Sequence, residues 1–177
     1  TEVGDIGGRI EIQSLPGQGT TFRLYLPLTL AVTQTLLVRA GSHLYAVPST
    51  MIEQVKEMKE KALAVVREKG EVEWQGIHYP FHFLPHLLGD MAAVPEAHRQ
   101  YWVLLLRSGS QRVAILVDEL KGNQEVVVKN IGAQLARVVG IAGATVLGDG
   151  KVVLILNPVA LASRTIVSSV HTAVPVM

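Results

Sequence analysis

The chain holds 177 residues, enough for one ordinary domain or for one domain plus a piece of another, and too few for a complete multidomain enzyme. With 49% hydrophobic and 18% charged residues it is not a disordered chain, and a formal charge of +1 excludes the basic field that dominates nucleic-acid affinity. Cysteine is absent, which removes disulfides, thiolate metal sites and cysteine nucleophiles together and suits a cytoplasmic protein. No apolar run approaches the roughly 18 residues that span a bilayer, so no direct membrane insertion is expected.

The sequence begins at Thr1 and reads as a piece cut from something longer. In chain order, Arg9 to Gln13 and Thr21 to Leu26 carry strand signals around the Gly-rich turn Pro16-Gly17-Gln18-Gly19-Thr20. Apolar runs then recur between turn signals: Gln34 to Ala40 before Gly41-Ser42, His43 to Val47 before Pro48, Tyr101 to Arg107 before Ser108-Gly109-Ser110, and Arg112 to Leu120 before Lys121-Gly122-Asn123. Glu125 to Lys129, Arg137 to Leu147 and Lys151 to Leu156 continue the series, the last two around the hairpin turn Gly148-Asp149-Gly150. The 25 valines favour pleated backbone, so the fold class is mostly β, a sandwich or barrel of short strands. Helix is scarce: Glu57 to Lys69 fits either a short exposed helix or a loop solubilised by its charges, and a turn or two is expected over Val159 to Ser163, where Asn157 caps and Pro158 takes the first position.

Candidate chemistry is thin. His78, His82 and His86 have helical metal-ligand spacing, but Pro80 and Pro85 break any helix through them, which leaves histidines on a strand and a turn. Asp118 and Glu119 are adjacent carboxylates, and neighbours on a strand point to opposite faces rather than sharing a proton. The turn at Gly17 and Gly19 could bring amides to a phosphate, yet it runs into a strand, where a phosphate cradle opens a helix; a plain hairpin is the simpler reading. No catalytic residue, metal ligand or phospho-acceptor histidine is assigned.

The run Gly7-Gly8-Arg9-Ile10-Glu11-Ile12-Gln13-Ser14-Leu15-Pro16-Gly17-Gln18-Gly19-Thr20-Thr21-Phe22, continuing into Leu26-Pro27-Leu28-Thr29-Leu30-Ala31, resembles the end of the ATP-binding domain of CheA-type chemotaxis histidine kinases. Beyond it, Val117 to Lys129, Gly140 to Gly150 and Leu154-Ile155-Leu156 resemble the CheW-like regulatory domain of those kinases. The resemblance implies a remnant of the ATP-binding domain at 1–27, a CheW-like domain of two packed SH3-like five-stranded barrels at 28–163, and a linker at 164–177, where Ala173-Val174-Pro175-Val176-Met177 is similar to the entry into a receiver domain.

The implied role is docking. Such domains bind the adaptor CheW and chemoreceptor tips at membrane-associated arrays, act on the ATP-binding domain of the same kinase, and couple receptor state to autophosphorylation. ATP and Mg²⁺ belong to the whole kinase, and no cofactor is expected for this piece. Only Gly17, Gly19 and Thr20 match the last nucleotide-pocket motif of the family, the threonine near adenine. The alternatives are a stand-alone CheW-like adaptor, against which the segment Gly7 to Phe22 speaks, and a fragment that keeps nucleotide-dependent kinase activity. Ile141 and Val146 are partner-binding candidates because Gly140, Gly143 and Gly148 would let another backbone approach; the competing reading buries both in a barrel. Two departures from the family pattern concern Gln54, aligned at an acidic position that a one-residue slip would give to Glu53, and Gln75, where the family has arginine before Gly76. Both are further partner-binding candidates, expected on adjacent strands within hydrogen-bonding reach, with weaker salt dependence of docking as the consequence.

Overall fold

A computed structural model describes residues 3, 8–26, 32–129, 131–132 and 137–170, with side chains described as far as Arg164. Strands β1 (Arg9–Leu15) and β2 (Gly19–Tyr25) form a separate antiparallel hairpin in which Ile12 faces Phe22 and Ile10 faces Leu24. Gly17 and Gly19 take positive φ in its turn. The pairing gathers Ile10, Ile12, Phe22 and Leu24 on one face, yet all four stay at least 44% exposed.

The remaining ten strands make two five-stranded curled sheets. The first contains β3 (Val32–Ala40), β4 (His43–Pro48), β10 (Glu119–Val127), β11 (Ile141–Val146) and β12 (Val152–Leu156), in the order β10-β3-β4-β12-β11. A bridge between Lys129 and Ala144 closes it into a barrel. The second contains β5 (Ile52–Met58), β6 (Glu71–Trp74), β7 (Ile77–Phe83), β8 (Tyr101–Ser108) and β9 (Gln111–Val117), in the order β5-β8-β9-β7-β6. Helix α1 (Glu60–Lys69) joins β5 to β6, α2 (Leu84–Leu87) follows β7, and α3 (Pro158–Val170) follows β12.

The two sheet orders are the same topology entered at different points. A hairpin (β3–β4) is followed by three strands (β5, β6, β7) and a helix; a second hairpin (β8–β9) is followed by three strands (β10, β11, β12) and a helix. Each hairpin sits in the barrel formed by the other repeat's three strands, and each barrel holds one parallel pair, β12 with β4 and β7 with β9. The duplication is visible in the chain as Leu36-Leu37-Val38-Arg39-Ala40-Gly41-Ser42 and Leu104-Leu105-Leu106-Arg107-Ser108-Gly109-Ser110, a match that inspection for turns alone misses. Neither repeat closes a barrel by itself.

Strand alternation sends the two faces to different cores. Leu37, Val126, Val153 and Ile155 fill the first barrel, and Tyr79, Val103, Leu105, Ala114 and Leu116 fill the second. The outward residues Leu36, Val38, Val47, Leu104, Leu106, Ile115 and Leu156 form a third core between the barrels, which Val159 and Ala162 of α3 help to cover. Each fully buried leucine there contributes about 1.5–3 kcal/mol of transfer free energy.

The expected cap holds: Asn157 Oδ1 accepts the Ala160 amide at 3.0 Å. The helix it starts continues to Val170, past Ser163 where the sequence reading ended it, because no glycine or proline intervenes. Two further expectations change. Lys121-Gly122-Asn123 is not a turn but a bulge inside β10, with Gly122 at φ 116°, and β9 ends at Val117, where the chain crosses to the other barrel. The helix expected from Glu57 begins at Glu60, since Glu57 and Met58 pair with Trp102 and Tyr101. Pro80 lies in β7, so no helix joins the three histidines. The proposed junction at 27–31 and the apolar tail at 173–177 lie outside the described residues.

Candidate docking site

Four valines stay exposed at one rim of the first barrel. Val32 pairs with Val127 and Val146 pairs with Val152. The isolated Lys129–Ala144 bridge brings the end of β10 beside β11, so the two valine pairs lie on the neighbouring strands β3, β10, β11 and β12. Their exposures are 46%, 38%, 45% and 70% in chain order. Directly paired residues share a face, and the inward neighbours Val126 and Val153 are buried, so the two pairs face away from the barrel interior.

The structure separates the candidates on β11. Val146 belongs to the exposed pairs, whereas Ile141 is half-buried at the other end of the strand opposite Leu156. Two of the three glycines proposed to admit a partner are used internally, and Gly148 has open space around it. A Cβ on Gly140 would lie 2.3 Å from the Leu161 side chain of α3, and one on Gly143 would lie 2.8 Å from Val128.

The expected Gln54–Gln75 pair is not formed. Gln54 is an exposed residue of β5 opposite Leu105, and Gln75 lies in the β6–β7 turn at φ 53°, at the other edge of the strand order. The acidic side chain that matters is Glu53, which the one-residue slip allowed. It occupies the bulge between Ile52 and Gln54, and that extra residue turns it toward Tyr79 and two arginines. The Tyr79 hydroxyl donates to Glu53 Oε2 at 2.5 Å, Arg107 Nε lies 3.0 Å from Oε1, and Arg112 Nε lies 3.4 Å from Oε2. The tyrosine hydrogen bond, with help from the two guanidinium charges, holds the Glu53 carboxyl below its ordinary pKa; burial and the same carboxylate push the fully buried Tyr79 phenol up.

Arg39 and Arg107 are equivalent positions of the two repeats, each one residue before the end of its hairpin strand. Arg39 is the more fully engaged. Its Nε lies 3.1 Å from Glu119, one terminal nitrogen donates to the Gly41 carbonyl at 2.8 Å, and the guanidinium grips Glu96 through two bonds of 2.9 and 2.8 Å. Glu96 belongs to the 88–100 segment that joins α2 to β8, so this bidentate pair straps the second repeat's leader to the first barrel. Asp118 completes the corner, accepting the Gly41 amide at 2.7 Å while Glu119 turns to Arg39 and Lys121. The two adjacent carboxylates thus have separate partners, as the strand geometry requires.

The histidines do not converge. His78 lies 2.9 Å from Glu71, and His86 Nε2 donates to the Ala93 carbonyl at 2.8 Å. His82 Nε2 is buried without a partner, and burial holds its pKa below the ordinary value. Among the described residues no three metal-ligating side chains cluster, and no helix is long and apolar enough to cross a membrane. Gly17, Gly19 and Thr20 sit on the exposed hairpin, where Thr20 shares a 2.9 Å hydrogen bond with Ser14. A two-stranded ribbon exposed along both strands encloses no nucleotide, so these residues alone do not fit an ATP site, and no phosphoryl-transfer step is derived from them.

The described residues form a mostly β fold of two intertwined barrels with exposed rims. The family model of the CheW-like domain matches residues 34–165, and the chain belongs to that family. It is 37% identical over 158 residues to the chemotaxis protein CheA of Salmonella typhimurium, a match covering 89% of this chain and 23% of the relative. It is 31% identical over 152 residues to the Bacillus subtilis CheA, covering 86% and 22%, and 34% identical over 157 residues to the sensor histidine kinase CheAY of Helicobacter pylori, covering 89% and 19%. The chain therefore spans about a quarter or less of these relatives. Among solved structures, the scaffolding protein TtCheW from Thermoanaerobacter tengcongensis superposes with a TM-score of 0.54 at 12% identity, over 71% of this chain and 88% of that one, which supports the fold.

Proposed function

We propose that this chain is the regulatory docking domain of a chemotaxis-type sensor histidine kinase. In this reading it binds a CheW-type adaptor and chemoreceptor tips in the cytoplasm at receptor arrays, and couples receptor state to autophosphorylation by the rest of the kinase. The pairs Val32 with Val127 and Val146 with Val152 carry the reading, because four exposed valines on neighbouring strands are what a monomeric barrel would replace with polar residues. The proposed occupant is a CheW-type adaptor.

The hairpin β1–β2 supports a parent longer than the CheW-like domain. Its apolar face, Ile10, Ile12, Phe22 and Leu24, needs a covering layer, and the relatives extend well beyond this chain. In the proposed division, residues 1–27 are the last strands of the ATP-binding domain, 28–163 the CheW-like domain and the segment from 164 a linker toward a possible receiver domain. ATP and Mg²⁺ would act in the parent, and this piece would have no catalysis of its own.

Binding of a purified CheW-type adaptor to the chain and to the double variant Val127→Asp, Val146→Asp tests the reading. Loss of binding with an unchanged melting temperature is expected. Full binding by a folded double variant, or saturable ATP binding by the chain, would overturn it.

A further inference from the structure

The two repeats carry the same arginine next to the end of the first hairpin strand, but only one of these arginines is gripped by two carboxylates. At Arg39 a second carboxylate, Glu96, takes the outer edge of the guanidinium through two hydrogen bonds, while Glu119 holds Nε. At Arg107 the Nε is ion-paired with Glu53 at 3.0 Å without a hydrogen bond, and among the described residues no other carboxylate meets the guanidinium; its side chain is 52% exposed against 22% for Arg39. The residue across the hairpin differs too. Arg39 faces Leu44, whereas Arg107 faces Arg112, whose Nε lies 3.4 Å from Glu53 without forming a hydrogen bond. The Arg39 corner sets Arg39 and Lys121 against Glu96 and Glu119; the Arg107 corner sets two arginines against Glu53 alone.

We propose that the Arg107–Arg112 corner is a docking point for a carboxylate side chain on an extended segment of a protein partner, received as Arg39 receives Glu96. A guanidinium ion-paired through Nε leaves its two terminal nitrogens open on the exposed edge, which suits bidentate capture of a carboxylate. The internal strap supplies the template. Around Glu96 the chain reads Ala92-Ala93-Val94-Pro95-Glu96-Ala97-His98, a short apolar approach with a proline before the acid and no regular secondary structure. The partner segment is therefore an acidic peptide in extended conformation rather than a helix or a phosphate group. This site lies on the second barrel, apart from the valine pairs of the first.

The probe is a capped synthetic peptide with the sequence of residues 92–98, titrated at low salt into the isotopically labelled full chain and followed by amide chemical shifts. Saturable shifts are expected from Arg107 to Arg112, weakened by about tenfold when the peptide carries Glu96→Gln, and reduced as salt is raised. Arg107→Gln should remove them and Arg107→Lys should retain part, with the remaining spectrum showing that both variants are folded. The double valine variant should bind the peptide normally, which separates this proposal from the adaptor site. Equal shifts from the Glu and Gln peptides, shifts that survive Arg107→Gln, or shifts confined to the Arg39 corner would each overturn it.

Discussion

The Arg39 and Arg107 corners are built from one duplicated strand-turn-strand, and they have come to different ends. At the first, the Glu96 strap and Glu119 of the crossover hold one arginine between them, while Asp118 accepts the Gly41 amide of the adjoining turn. At the second, a bulge brings in Glu53, Tyr79 caps it from within, and the arginine edge is left to solvent. The same local chemistry thus serves as a structural clasp in one repeat and as an available surface in the other. Repeated sequence fixes the backbone corner, and the residues that arrive from elsewhere in the chain decide its use.

The largest expected effect comes from breaking what the repeats share. Leu104 is fully buried in the core between the barrels, and Leu104→Ala should cost about 2–5 kcal/mol. Because each barrel needs strands from both repeats, urea unfolding should stay a single transition; two separated transitions would show that the barrels are independent. The corners come next. Arg39→Ala should cost more than Arg107→Ala, since it removes hydrogen bonds to Glu96, Glu119 and the Gly41 carbonyl at once, while Arg107→Ala should cost about 1 kcal/mol or less, as expected of a half-exposed ion pair. Equal losses would mean that Arg107 is also a clasp.

Acid should separate the repeats in a different way. The depressed pKa of His82 means that the folded chain resists a proton which the unfolded chain accepts, so its contribution is complete above the ordinary histidine pKa and is lost as pH falls toward the folded value. Melting between pH 7 and pH 5 should show that loss, and His82→Leu should flatten it; an unchanged slope would assign the acid sensitivity to other groups. The smallest effect should follow removal of residues 1–26. Every residue of β1 and β2 is exposed, so the melting temperature of the remainder should hold within about a degree or two. Loss of the cooperative melt on trimming would show that the hairpin is part of the barrel domain.

Much of this was legible in the sequence. Valine-rich runs and glycine turns located eight of the strands to within a few residues, Asn157-Pro158 marked the start of the last helix, and the motifs from Val117 and Gly140 onward pointed to the family. The exchange of hairpins between barrels was not legible from strand signals, because pairing between distant strands leaves no local trace. The glycines around Ile141 were read as room for a partner, whereas Leu161 and Val128 use that room, a contact made by residues far along the chain. Gln54 and Gln75 drew attention by departing from a pattern. The bulge at Glu53 moved the acidic role by one residue, and a bulge is the feature that sequence periodicity registers least. The repeated Leu-Leu-x-Arg-x-Gly-Ser was the one available signal for both arginine corners.

Docking through the rim of the first barrel is tested most directly by titrating a CheW-type adaptor into the labelled chain and mapping the amides it perturbs. Perturbations centred on Val32, Val127, Val146 and Val152, with Ile141, Gln54 and Gln75 unaffected, are the result predicted; saturable binding that leaves all four valines unperturbed would contradict it.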